Sequence, residues 1–94
     1  MEVEFEHVNG ERDDHKVRLL TLSTCGHCKQ AKKLMNELGM SYDFVDVDKC
    51  TREEKREITR FLRERDLPLS FPIIMIDEEI ITGYRAKKIH ELLD

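Results

Sequence analysis

The chain has 94 residues, of which 16 are Lys or Arg and 20 are Asp or Glu, so its formal net charge is −4. This length predicts one domain with a modest core that needs no disulfide framework. Because the acidic and basic residues are interspersed, the charge predicts neither a nucleic-acid partner nor a membrane surface partner. The first residues lack the basic and then apolar run of a signal peptide, and no stretch approaches the length of a membrane span. We therefore expect an intracellular, cytoplasmic protein.

The N-terminal segment reads as a strand followed by a turn. In residues 2–8, Val3, Phe5 and His7 alternate with glutamates, which is the period of a half-buried strand. An Asn-Gly pair at residues 9–10 begins a polar turn that is too short to hold a helical crossover. The sequence therefore predicts that strand 3–8 runs antiparallel to the next strand, at residues 17–23. His7 and His15, on either side of the turn, are expected on the surface.

A Cys-x-x-Cys motif follows the largely apolar strand at residues 17–23. After the motif, Ala31, Leu34, Met35 and Leu38 recur at helical spacing as far as Gly39. Cys25 is therefore expected on the turn that opens a helix, where free N–H groups and the helix dipole favour a thiolate over a thiol. Cys28, three positions on, is close enough to form a disulfide with it. In a reducing compartment such a close pair indicates catalysis or metal binding.

The rest of the chain continues an alternation of strands and helices. Residues 42–47 predict a strand parallel to strand 17–23, joined to it by a right-handed crossover. A capping box, Thr51-x-x-Glu54, predicts a helix over about residues 52–65 whose basic side chains form a solvated face. A Pro-containing loop then leads to a hairpin of residues 73–76 and 79–82. Gly83 precedes a last helix whose predicted inward residues are Ala86, Ile89, Leu92 and Leu93.

These pieces together resemble the thioredoxin fold and, within it, the glutaredoxin family. The resemblance covers residues 17–93 and depends on the strand–Cys25-x-x-Cys28–helix unit, on Phe71-Pro72 before the hairpin, and on Gly83. It implies an α/β protein with a small mixed four-stranded sheet and three helices, to which this chain adds an N-terminal strand. We expect a single domain, 1–94, with residues 1–16 as an extension and 17–93 as the core. The resemblance also implies that Pro72 is a cis proline whose loop faces the dithiol.

Three positions depart from the glutaredoxins that use glutathione. Those proteins typically carry a basic residue where this chain has Leu22, and Thr-Val before the proline where it has Ser70-Phe71. They also carry acidic residues after a Gly-Gly pair, whereas this chain reads Gly83-Tyr-Arg-Ala-Lys. That stretch resembles the glutaredoxin-like redoxins that reduce ribonucleotide reductase. It implies as partners disulfide-containing proteins, ribonucleotide reductase among them, and a thioredoxin-reductase-like or ferredoxin-linked reductase.

The family resemblance predicts a thiol–disulfide oxidoreductase, an electron carrier without a cofactor. Cys25 is the expected nucleophile, and Cys28 is expected to resolve the mixed disulfide. The motif Cys-Gly-His-Cys is similar to that of protein disulfide isomerases, so a disulfide isomerase or oxidase remains an alternative in which His27 stabilises the thiolate. The residues expected to bind the substrate are His27, Phe71, Pro72, Gly83 and Tyr84, with core packing an equal alternative for Phe71.

Cys50 is the third thiol and follows the second core strand by three residues. Because parallel strands end at the same edge of a sheet, we expect Cys50 on the Cys25 side of the molecule. It is either a third redox thiol or a free thiol before a helix cap. A metal-binding or iron–sulfur glutaredoxin is a further alternative, since Cys25, His27, Cys28 and Cys50 carry suitable ligand atoms. His27, between two ligands of one tight loop, is poorly placed to complete such a site, so we expect no metal. An interaction module with an inert dithiol is the last alternative, and it would need Cys25 to be buried.

Overall fold

The computed structural model describes all 94 residues, Met1–Asp94. It contains one mixed five-stranded sheet in the order β1-β3-β2-β4-β5, with three helices. The elements along the chain are β1 (Glu6–Val8), β2 (Val17–Thr21), α1 (Gly26–Glu37), β3 (Tyr42–Asp46), a 3-10 turn (Val47–Lys49), α2 (Arg52–Glu64), β4 (Ile73–Ile76), β5 (Glu79–Thr82) and α3 (Ala86–Leu93). The α/β fold expected from the sequence, a four-stranded core sheet with an added N-terminal strand, is confirmed.

The sheet, with β2 as its central strand, lies between helices on both faces. Leu19 and its neighbour Leu20 point to opposite faces of the sheet, and neither side chain is exposed. Leu19 belongs to a cluster with the inward residues of α1 and α3, whereas Leu20 belongs to a second cluster with Ile58 and Leu62 of α2. Both faces of the sheet are therefore covered, as the run of apolar residues in β2 and β4 requires.

The capping box predicted for α2 is present. The Thr51 side chain accepts a hydrogen bond from the Glu54 backbone N–H at 3.1 Å, and the Glu54 carboxylate accepts one from the Thr51 N–H at 3.0 Å. The predicted hairpin is also present as β4 and β5, with Asp77 at a positive φ of 54° in its tight turn.

The predicted partner of the N-terminal strand is wrong. The strand comprises only residues 6–8 and pairs antiparallel with β3, with Glu6 opposite Phe44, rather than with β2. It does not pair with β2 because β3 and β4 already occupy both edges of that strand. The expected hairpin turn instead runs beside the α1–β3 connection. The Arg12 backbone N–H donates to Gly39 O at 2.8 Å, and the Arg12 carbonyl accepts from Ser41 N at 2.7 Å.

The sheet register brings the ends of β2 and β3 and the start of β4 to one end of the sheet. In the parallel pair, Thr21 at the end of β2 lies opposite Asp46 at the end of β3. In the antiparallel pair, Ile73 at the start of β4 lies opposite Leu20. Residues that follow β2 and β3, or that precede β4, therefore meet at this end of the sheet.

None of the helices combines the length and the apolar character needed to cross a membrane.

Candidate active site

Cys25 lies at the point where the chain turns from β2 into α1. It is the N-cap of α1, with an extended backbone (φ −86°, ψ 121°), and it is partly exposed. Its Sγ accepts a hydrogen bond from the Cys28 backbone N–H at 3.2 Å. Its carbonyl accepts one from Lys29 N at 3.1 Å, the first turn of the helix. The sulfur thus occupies the place of a capping side-chain oxygen, where the free N–H groups of the first turn stabilise negative charge.

Cys28 lies inside the molecule, on the inward face of α1, and none of its surface is exposed. Burial raises the pKa of the Cys28 thiol to about 12, and a hydrogen bond between the two thiols adds to the rise. A hydrogen bond from the Leu22 backbone and the positive charge of Lys32 act in the opposite direction. The motif therefore combines one accessible sulfur with one buried thiol directly behind it.

Two pairs of polar side chains join the ends of β2 and β3 beside the motif, and the sequence analysis missed both. The buried Thr21 hydroxyl donates to Asp46 Oδ1 at 2.6 Å. The Ser23 backbone N–H donates to Asp48 Oδ1 at 2.9 Å and its hydroxyl donates to the same carboxylate, which lowers the Asp48 pKa. The available signal was that polar residues follow two strands expected to be parallel.

His27 and Tyr84, two of the expected substrate-binding residues, are brought together. His27 is exposed, and its ring stacks on that of Tyr84 with centroids 6.4 Å apart and an interplanar angle of 24°. Tyr84 itself is half-buried and packs against the cluster that α1 and α3 cover. One of the two residues between the cysteines, His27, therefore lies towards the start of α3.

The other expected binding residues form the loop junction before β4 and after β5. The Phe71–Pro72 peptide bond is cis, as expected, and Pro72 is buried. Gly83 has a φ of 81°, and its N–H donates to Pro72 O at 2.8 Å. Phe71 is half-buried and packs against the α2 cluster, so core packing accounts for at least part of its role. The exposed apolar side chain of this loop is Leu69, which is 59% exposed.

Cys50 lies against the α2 side of the sheet. It is half-buried beside the cluster of Ile58 and Leu62, and its Sγ donates to Asp46 O at 3.6 Å. Burial raises the pKa of the Cys50 thiol, and the nearby Glu54 carboxylate raises it further. Cys50 therefore follows β3 at the same end of the sheet as Cys25, as expected, but it packs on the α2 face, whereas α1, which Cys25 caps, covers the opposite face. No group of three or more His, Cys, Asp or Glu side chains is arranged to hold a metal ion.

A family model, relatives of known sequence and solved structures all relate this chain to glutaredoxins. The family model described as glutaredoxin matches residues 17–81. Glutaredoxin 1 of Rickettsia conorii is 31% identical over 72 residues, which are 77% of this chain and 68% of that protein. Among solved structures, the glutaredoxin from Methanosarcina mazei Go1 superposes with a TM-score of 0.78 at 38% identity, over 93% of this chain and 84% of that chain. Methanosarcina acetivorans methanoredoxin gives a TM-score of 0.72 at 34% identity, over 83% of each chain.

Proposed function

Because the chain belongs to the glutaredoxin family, we propose that it is a thiol–disulfide oxidoreductase that reduces disulfides through Cys25 and Cys28. The observation that carries the proposal is the contrast between the two sulfurs. Cys25 is partly exposed at the N-cap of α1, and Cys28 is buried one turn behind it with its N–H donating to Cys25 Sγ at 3.2 Å. An accessible thiolate is the attacking group in disulfide exchange, and a sheltered second thiol is suited to resolve its product.

The reaction proceeds in two exchange steps. The Cys25 thiolate attacks one sulfur of the substrate disulfide, so that a Cys25–substrate bond forms while the substrate S–S bond breaks. The departing substrate sulfur keeps the electron pair and takes up a proton. Cys28 then loses its proton to solvent and attacks Cys25 Sγ, which forms the Cys25–Cys28 disulfide and releases the second substrate sulfur as a thiol. Two electrons pass from the protein to the substrate.

The substrate is expected to bind along the junction of Pro72 and Gly83. The Pro72 loop lies at the same end of the sheet as the end of β2, and the family resemblance implies that this loop receives an extended peptide segment. The paired rings of His27 and Tyr84 offer an apolar and aromatic wall beside it. These features support a protein disulfide as substrate, ribonucleotide reductase among the candidates.

The electron donor is proposed to be a thioredoxin-reductase-like or ferredoxin-linked reductase rather than glutathione. The first turn of α3 contains no acidic residue, and Arg85 occupies its N-cap without a side-chain hydrogen bond. The ammonium group of glutathione would therefore lie near the cationic side chains of Arg85 and Lys87, whereas its binding requires a carboxylate there. This chemistry belongs to a reducing compartment, which supports a cytoplasmic location and a role in cell redox homeostasis.

The proposal is tested by trapping the mixed disulfide. Reduced protein is mixed with a peptide disulfide without added thiol and analysed by intact mass, and turnover is measured separately with dithiothreitol as reductant. Cys25→Ser is expected to lower turnover by more than about a hundredfold, because it removes the nucleophile. Cys28→Ser is expected to accumulate a species heavier by one half of the substrate. Cys50→Ser is the matched control and should do neither. A trapped adduct on Cys28 in the Cys25→Ser protein, at the wild-type rate, would contradict the assignment.

The midpoint potential distinguishes the proposed reductase from an isomerase or oxidase. A value at or below about −250 mV, near that of thioredoxin, supports a reductase of protein disulfides. A value near about −180 mV, typical of protein disulfide isomerase, supports the alternative in which His27 controls the site. An iron–sulfur carrier would require the purified protein to be coloured, with iron bound through Cys25.

A further inference from the structure

Lys32 is held in place on α1, although a lysine on a helix surface is ordinarily free to move. Its side chain is 24% exposed, and its Nζ lies 3.3 Å from Asp46 Oδ1. The same Nζ lies 3.9 Å from the centre of the Phe44 ring, within the range of a cation–π contact. The neighbouring Lys33, by contrast, is 77% exposed and only distantly paired with Glu37, at 3.9 Å.

The carboxylate that holds Lys32 is itself fixed. The Asp46 side chain is 16% exposed, and the oxygen that contacts Lys32 also accepts the hydrogen bond from the buried Thr21 hydroxyl. That hydroxyl lies 3.2 Å from Val45 O as well. A chain of contacts thus runs from β2 through the end of β3 to α1, and it fixes the position of one positive charge.

The fixed charge stands one helical turn beyond the resolving cysteine. Residues four apart on a helix share a face, with Cβ atoms about 5–6 Å apart, so Lys32 is the neighbour of Cys28 along α1. The titratable groups that act on the Cys28 thiol are Cys25 and Lys32, and of these the lysine favours the thiolate. On the far side of the network, Cys50 donates to the Asp46 carbonyl. Lys32 is therefore the cation that acts on the buried Cys28 thiol.

We propose that Lys32, held by Asp46 and Thr21, is a positioning residue whose charge promotes the resolving step of the reaction. The inference rests on the proposed function, because it concerns the attack of Cys28 on the mixed disulfide. In that step Cys28 gives its proton to solvent and its thiolate forms the bond to Cys25 Sγ, while the bond from Cys25 to the substrate breaks and the substrate sulfur leaves with the electron pair. The lysine takes no proton and forms no bond; its charge lowers the cost of forming the thiolate in a buried place.

The test separates the two exchange steps with a neutral reagent. One equivalent of 4,4′-dithiodipyridine is mixed rapidly with reduced protein in the Cys50→Ser background, and release of thiopyridone is followed in two phases. The first phase reports attack by Cys25, and the second reports resolution by Cys28. Lys32→Met should slow the second phase alone. Loss of the positive charge lowers the thiolate fraction of Cys28, and the greater nucleophilicity of the more basic thiolate returns part of the rate, so a net slowing of about threefold is expected between pH 6 and 9.

Two matched variants identify the charge as the cause. Lys32→Arg keeps the charge and should retain at least half of the wild-type second-phase rate, and Lys33→Met removes an exposed charge one residue away and should change neither phase. Equal slowing in Lys32→Met and Lys32→Arg, equal slowing in Lys33→Met, or an unchanged second phase in Lys32→Met would each overturn the inference. Absence of any second phase in the Cys50→Ser protein that keeps Lys32 would instead refute the dithiol mechanism itself. Far-UV circular dichroism of each variant verifies that it is folded.

Discussion

Cys25 and Cys28 are three residues apart, and their different chemistry comes from backbone geometry rather than from residue type. Cys25 precedes the first helical residue and lies partly open to solvent, whereas Cys28 belongs to the inward face of α1 and has no exposed surface. Burial raises the pKa of the inner thiol to about 12. In the proposed mechanism the inner thiol is therefore the one expected to react second, after the mixed disulfide on Cys25 has formed.

A single methyl group added at Gly10 should destabilise the fold, because the backbone of residues 39–40 lies directly against this glycine. A Cβ placed there would overlap Gly39 O and would lie 2.6 Å from Met40 C, and both are backbone atoms that cannot move aside independently. We expect Gly10→Ala to lower the free energy of unfolding by about 1–3 kcal/mol, the usual cost of overpacking. Urea unfolding followed by circular dichroism measures it.

Gly26→Ala is the control for this substitution, because a Cβ at Gly26 meets nothing within 4 Å. As Ala is the better helix former at a position inside α1, this variant should be neutral or slightly more stable. Equal destabilisation by both substitutions would contradict the role assigned to the close approach at Gly10.

At the level of elements, α2 offers the clearest link between a local pattern and stability. Thr51→Ala removes the hydrogen bond to the Glu54 N–H and half of the capping box. We expect a loss of about 1 kcal/mol in the free energy of unfolding, since an uncapped helix leaves an N–H group without its partner. Thr59→Ala, the same chemical change in the middle of the helix, removes only a hydrogen bond to Lys55 O and should cost clearly less. A larger effect at Thr59 than at Thr51 would refute this reasoning.

The elements also show why the sequence predicts some features and misses others. Helix α2, the β4–β5 hairpin and the β2–α1–β3 unit follow from local patterns, because caps, turn residues and apolar spacing lie within a few residues of one another. The partner of β1 does not, since it depends on which strand edges other elements leave free. The Cys-x-x-Cys pair was predictable from its spacing. The Thr21–Asp46 contact was not, because 25 residues separate its members and only the register of β2 and β3 brings them together.

For the whole molecule, the ionisable groups predict a stability that is greatest at mildly acidic pH. Hydrogen bonds lower the pKa of four carboxyl groups: Asp14, Asp48, Glu54 and Asp77. Their contribution is present above their ordinary values of 3.8 to 4.5 and is lost as pH falls through the lowered values. His7 behaves oppositely. The hydrogen bond to Asp43 raises its pKa, so its contribution is present below 6.5 and is lost as pH rises through the raised value.

We therefore expect the free energy of unfolding to be highest between about pH 4.5 and 6.5, with a steeper fall on the acid side, where four groups act, than on the basic side. Urea unfolding at a series of pH values measures this profile. His7→Gln should flatten the basic side and leave the acid side unchanged. A maximum above about pH 8, or a basic side that His7→Gln does not alter, would contradict the assignment.

Under the proposed function, the capping role of Cys25 also makes helix α1 part of the redox equilibrium. In the reduced protein the Cys25 sulfur accepts a hydrogen bond from the Cys28 N–H, whereas a sulfur in a disulfide is a weaker acceptor. By thermodynamic linkage, whatever the cap adds to the stability of the reduced form also shifts the midpoint potential towards a stronger oxidant. A cap worth about 1 kcal/mol corresponds to about 20 mV for a two-electron couple. Under the proposed function, substitutions at the other residues in the first turn of α1 should therefore change the midpoint potential while both cysteines are kept.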